Sequence, residues 1–165
     1  MNTQVDLLDP EATRGYGRAL AKVLRRGDLV VLTGALGAGK TTLAQGIGEG
    51  LGVRGQVASP TFIIAREHPS LGDGPALVHV DAYRLRSLDE LEALDLDAGL
   101  EDSVTVVEWG EDLVEVLSED RLLVVIQRPH GGLDVTASVV DAEVGVRRVT
   151  VTAHGPRWAG VVLPT

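Results

Sequence analysis

A chain of 165 residues suits one domain, able to bury roughly 70% of its unfolded surface. It carries 24 acidic against 15 basic residues, a net charge of −9, and so acidic a surface repels polyphosphate, which argues against stable nucleic-acid binding by this chain alone. There is no cysteine, which excludes disulfides and thiolate metal sites, and 44% hydrophobic with only 3% aromatic residues calls for a core of Val, Leu and Ala.

The opening MNTQVDLLDP has neither the basic segment nor the apolar stretch of a signal peptide, and no apolar run approaches membrane-spanning length. A cytoplasmic protein without a membrane role is expected. Val5–Leu8 predicts a short strand. Asp9-Pro10-Glu11 then supplies a helix start: an N-cap, a proline at the first position and an early acid. Ala12, Tyr16, Ala19, Leu20, Val23 and Leu24 make one apolar stripe, and Arg25-Arg26-Gly27 closes the helix.

The next stretch is the most informative. An apolar run, Leu29-Val30-Val31-Leu32, leads into Gly34-Ala35-Leu36-Gly37-Ala38-Gly39-Lys40-Thr41, which fits the phosphate-loop pattern G-x-x-x-x-G-K-[ST] at every fixed position. In a chain of this composition the pattern arises by chance on the order of 0.003 times, so a glycine-rich turn with an incidental lysine is set aside. Leu43, Ala44, Ile47 and Leu51 recur at helical spacing, which puts the loop between a strand and a helix. Glycines let successive N–H groups turn inward around phosphate oxygens, and the helix start adds partial positive charge. Lys40 reaches the outer phosphates, and the Thr41 hydroxyl can ligate Mg2+.

Gly48, Gly50, Gly52 and Gly55 are expected to mark the end of this helix and a loop. Phe62–Ala65 predicts a strand, Pro69–Pro75 a turn-rich excursion, and Ala76–Val80 a buried strand ending at Asp81. Leu88, Leu91, Leu94 and Leu96 suggest a short acidic helix. Val104–Val107 predicts a strand ending at Glu108-Trp109, Leu113–Leu117 a helix, and Arg121–Ile126 a strand. Val135–Val139 and Val149–Ala153 alternate at period two, as hairpin or edge strands do. The order predicts an α/β fold of the P-loop NTPase type: a mainly parallel sheet flanked by helices, with antiparallel strands added near the C-terminus. Residues 1–157 read as a single domain and 158–165 as a short tail without an assigned role.

A phosphate loop needs Mg2+ and a group that positions the attacking atom. Asp81 and Glu108 stand at the carboxyl ends of apolar strands, where ligands collect in such folds, and either suits the metal-organising carboxylate. Thr61, after Ser59-Pro60, resembles a switch hydroxyl able to sense the outer phosphate or complete the metal shell, the other reading being a hydroxyl that caps the Pro60 turn. Trp109 reads as core or pocket-wall packing or as a nucleotide or partner contact, and His79 reads as structural in an apolar strand. Arg147 and Arg148 stand on the late strand, where a solvated face is the simpler reading for each and one of them could approach a phosphate. The chain lacks the [NT]-K-x-D element that reads guanine, so ATP is the expected nucleotide.

L-x-G-x-LGAGKTTL, Ser59-Pro60-Thr61-Phe62, His79-Val80-Asp81-Ala82-Tyr83-Arg84-Leu85 and Val107-Glu108-Trp109 occur in an order and spacing that closely resemble the bacterial TsaE (YjeE) family, over residues 5–155. The resemblance implies a small ATPase that works with a TsaB–TsaD complex, which installs threonylcarbamoyl on adenosine 37 of tRNAs, with tRNA met only through that partner. It implies that Gly37, Ala38, Gly39, Lys40, Thr41 and Thr42 hold the phosphates and that Thr41 with Glu108 ligates Mg2+. Asp81 then orients the attacking water and Thr61 acts as the switch residue, while Thr13 and Arg147 or Arg148 lie near the nucleotide. Many members carry an acid after the first loop glycine, where this chain has Ala35; phosphate binding rests on backbone groups and is unaffected. Two other readings compete: a P-loop phosphotransferase acting on a small molecule, which would want an arginine-bearing lid, and a nucleotide-sensing module that does not hydrolyse.

Overall fold

The structure is a computed structural model that describes residues 2–35, 38–55, 57, 65–82, 101–108, 118–128 and 146–165. Strand β1 (Asn2–Leu7) leads into helix α1 (Pro10–Ala21). The start of α1 is as the sequence predicts: the Asp9 carboxylate accepts the Ala12 N–H at 2.7 Å, and Pro10 takes the first turn. Its end falls earlier than Arg25–Gly27. The amides of Lys22, Val23 and Leu24 turn to carbonyls three residues back, at 3.0–3.3 Å, and the tightened turn stops the helix.

Strand β2 (Leu29–Gly34) is buried along its apolar run, as a central parallel strand covered on both faces must be. Helix α2 (Lys40–Leu51) follows the loop and ends on Gly52 in the left-handed conformation. Gly48 and Gly50, expected beyond the helix, lie inside it. The reason is packing: a methyl at Gly46 would collide with the Arg14 carbonyl, and one at Gly50 would sit 2.5 Å from Cβ of Ala21. A methyl at Gly17 would likewise lie 2.5 Å from the Leu43 carbonyl, so the two helices meet backbone to backbone. This close approach also turns α1 so that Thr13, Gly17 and Ala21 join Tyr16 and Leu20 on its buried face.

Strands β3 (Ala65–His68), β4 (Ala76–Asp81), β5 (Ser103–Glu108), β6 (Arg121–Gln127) and β7 (Arg147–His154) complete a sheet that has seven strands among the described residues. Its order is β1-β7-β6-β2-β5-β4-β3. The middle strands β6, β2, β5 and β4 run parallel. Antiparallel strands flank them on both margins, β7 and β1 on one side and β3 on the other, so the additions are not confined to the C-terminus. One face buries Val30, Leu32, Leu77, Val106, Val124 and Ile126 under Leu20, Leu43 and Ile47 of the helices. The other face carries a smaller cluster around Leu29, Val31, Val80 and Val107. The helix expected around Leu88–Leu96, the one at Leu113–Leu117, the Val135–Val139 strand and residues 62–64 of the strand expected at Phe62–Ala65 lie outside the described residues.

The residues after 157 pack on the domain. Trp158 and Leu163 are buried in the main core, and the Tyr16 hydroxyl donates to the Pro164 carbonyl at 3.0 Å. Burial pushes the Tyr16 phenol up to about 12. Beside this contact, Arg157 grips the buried Asp28 with both prongs at 3.0 Å, donates to the Val23 carbonyl at 2.9 Å and lies 4.2 Å over the Trp158 ring. Among the described residues no helix is long and apolar enough to cross a membrane.

Candidate functional site

The site forms where β2 gives way to α2. At Gly34 a Cβ would sit 2.5 Å from the Ile126 carbonyl of β6, so only glycine lets β2 end this close to its neighbour. Gly39, with φ +111°, turns the chain into α2 and leaves its first turn without a side-chain cap. The opening amides of a helix have no carbonyl partners within it, and here Thr41 and Thr42 contribute theirs at a point of positive potential. Lys40, the first residue of α2 and only 5% exposed, folds back over the loop: its ammonium donates to the Gly34 and Ala35 carbonyls at 2.8 and 3.0 Å. The Ala38 N–H closes on the Ala35 carbonyl at 3.0 Å.

Two further elements wall the loop. Thr13 of α1 is buried beside Gly39, its methyl 3.8 Å from where a side chain there would begin, and its hydroxyl donates to the Asp9 carbonyl at 3.3 Å. From β7, beyond β6 on the same face of the sheet, Arg147 donates its Nε–H to the Ala38 carbonyl at 3.0 Å. Burial, aided by the charge of Arg128, holds the Arg147 guanidinium below its usual pKa. Arg148 points the other way. It forms a paired contact with Asp6 on β1 at 2.9 and 3.3 Å, and that arginine holds the Asp6 carboxyl below the usual carboxylate range. Of the two arginines only Arg147 comes to the loop.

The two strand-tip acids are neighbours. Asp81 on β4 is the register partner of Glu108 on β5, which places both on the sheet face that α2 covers. Glu108, buried to 4% exposure, accepts the Thr41 hydroxyl mainly on Oε1 at 3.2 Å, with Oε2 at 3.5 Å. Its other oxygen, Oε2, lies 2.5 Å from Nε2 of His79, which is itself fully buried. The sequence reads His79 as structural in an apolar strand, and its contact with Glu108 goes beyond that expectation. Alternation along β4 puts His79 on the same face as Asp81, two residues on, but it is the β4–β5 register that brings Glu108 to that face. Gly37, Thr61 and Trp109 lie outside the described residues.

A hydroxyl and a carboxylate 3.2 Å apart, beside an uncapped helix start and a buried ammonium, form a donor set that fits Mg2+ with a phosphate group. Mg2+ takes oxygen ligands and is usually held by one or two protein oxygens plus phosphates and water. Among the described residues no group of three or more His, Cys, Asp or Glu that could hold a metal occurs.

Glycine-rich turn, central parallel strand and lysine-led helix together define the α/β P-loop-like class of fold. Residues 7–132 match the family described as "Threonylcarbamoyl adenosine biosynthesis protein TsaE". The chain is 65% identical to the tRNA threonylcarbamoyladenosine biosynthesis protein TsaE of Streptomyces coelicolor over 147 residues, 88% of this chain and 93% of that protein. It is 39% identical to the TsaE protein of Bacillus subtilis over 153 residues, 92% and 85% of the two chains. The crystal structure of Bacillus subtilis YdiB superposes with a TM-score of 0.69 at 32% identity, covering 96% of this chain and 90% of that one. The chain belongs to the TsaE family.

Proposed function

We propose that this protein is an ATPase of tRNA threonylcarbamoyladenosine synthesis, acting in the cytoplasm with a TsaB–TsaD-type complex and meeting tRNA only through that complex. The pathway is supported by the names of its relatives. The observation that carries the chemistry is the Thr41–Glu108 contact of 3.2 Å, which joins the loop hydroxyl to a strand-tip carboxylate 67 residues away. The acidic charge agrees with a protein that leaves the gripping of tRNA to a partner.

In this reading the amides from Gly34 through Thr42, including Gly37, Ala38 and Gly39, line the phosphate site, and Lys40 exchanges its loop carbonyls for phosphate oxygens. Thr41 and Glu108 hold Mg2+, which when bound neutralises charge on the phosphates and orients them. Asp81, beside Glu108 in the register, accepts a hydrogen bond from the attacking water and aligns it. Thr13 and Arg147 shape the loop wall, Thr61 is the switch hydroxyl, and Trp109 is a nucleotide contact.

Calorimetry with ATP and Mg2+, on the chain alone and mixed with purified TsaB–TsaD, tests this directly. Binding of ATP, slow hydrolysis alone and repeated tRNA modification that depends on this chain are expected. No heat in either mixture would overturn the reading.

A further inference from the structure

We propose that His79 is the positioning residue for the Glu108 carboxylate, holding Oε2 so that Oε1 stays turned to Thr41. The inference rests on the reading of Thr41 and Glu108 as the metal-binding pair. A carboxylate only accepts, so the contact requires His79 Nε2 to carry the hydrogen. The other ring nitrogen, Nδ1, has no hydrogen-bond partner among the described residues and is buried, so Glu108 is the polar contact that orients the ring there.

Packing alone does not call for an imidazole at this position. Leu77, on the same strand and the same face, is fully buried and apolar, and a second leucine would fill the space without desolvating two ring nitrogens. The register explains the reach: His79 pairs with Val106, so Glu108 is its diagonal neighbour one pleat further on. Glu108 thus receives a hydrogen bond from each side, the strand on one and the helix on the other. With Oε2 unheld, the carboxylate could rotate about its last bond and lose its bearing on Thr41. Outer-shell partners of this kind typically carry about ten- to a hundred-fold in metal affinity.

Two near-isosteric replacements separate positioning from packing. Glutamine places its amide N–H near the Nε2 position, whereas asparagine offers one only near Nδ1. The test titrates Mn2+ into the full chain with saturating ADP, followed by electron paramagnetic resonance, with far-UV circular dichroism to establish that each variant is folded. His79→Gln should stay within about three-fold of the parent and His79→Asn should bind Mn2+ roughly ten- to a hundred-fold more weakly, with metal-free ADP affinity unchanged in both. In a Glu108→Gln background the asparagine change should add no further loss. Equal Mn2+ affinities for the glutamine and asparagine variants would overturn the inference while leaving the site reading intact. A parent that binds no Mn2+ with ADP would overturn the site reading and the inference together. If His79→Asn does not fold, the imidazole N–H resonance of His79 in the metal-free parent decides: it should move on Glu108→Gln, and an unmoved signal refutes the contact.

Discussion

Arg147 on β7 donates to the carbonyl of Ala38 in the loop, 3.0 Å away and 109 residues distant in sequence. The antiparallel margin of the sheet therefore braces the phosphate-loop turn. Arg147→Met should keep the bulk of the side chain and remove the donor, leaving the Ala38 carbonyl short of a partner. A loss of roughly 1–3 kcal/mol in stability is expected by urea denaturation, with weaker ATP binding by calorimetry. Arg148→Met, on the exposed Asp6 contact, should change stability by no more than about 0.5 kcal/mol and ATP affinity not at all.

Lys40→Ala removes the one ammonium in the turn. A charged hydrogen bond contributes roughly 1.5–3 kcal/mol, so nucleotide affinity should fall about ten- to a hundred-fold in calorimetry while the circular dichroism spectrum is retained.

Glu108→Gln keeps the volume of the side chain and removes its charge. ATP should still bind, but Mg2+-dependent phosphate release should drop at least about a hundred-fold, because the metal supplies several kcal/mol of transition-state stabilisation. Hydrolysis at the parent rate would take Glu108 out of the metal site.

Gly46→Ala drives a methyl into the Arg14 backbone at the crossing of α1 and α2. Overpacking of a tight contact costs roughly 1–3 kcal/mol or more, and since α1 carries Thr13 beside Gly39, nucleotide affinity should fall with stability. Denaturation and calorimetry on the same sample check both effects.

His68 is buried on β3, and desolvation, its leading cause, holds its pKa below the ordinary histidine value despite a contact at 3.3 Å with the Arg54 carbonyl. The unfolded chain then takes up a proton before the folded one does. Stability contributed by this group is complete above about pH 6.5 and is lost as pH falls through that value toward the folded pKa. His68→Gln should flatten the urea midpoint between pH 7 and 5 relative to the parent.

Arg157 and Asp28 form a paired contact in which Asp28 is 3% exposed. Arg157→Ala strands that carboxylate and should cost about 3 kcal/mol or more in thermal or urea unfolding. The same substitution should expose Trp158, visible as a change in its fluorescence.

Local chemistry determined much of this protein from sequence alone. The phosphate-loop pattern, the Asp9 cap and proline start of α1, the buried run of β2 and the strands ending at Asp81 and Glu108 are set by neighbours a few residues apart, where sterics and hydrogen bonding act directly. The tertiary structure decided what distant segments do to each other. Gly48 and Gly50 look like a helix end until packing shows Gly48 fitted against Val57 and Gly50 letting α2 touch Ala21 of α1. Arg147 and Arg148 are equivalent in the string, and only strand parity and the β7–β6 register send one to Ala38 and the other to Asp6. The partnership of His79 with Glu108 depends on two strands lying side by side in one register, a relation that side-chain spacing within either strand does not contain.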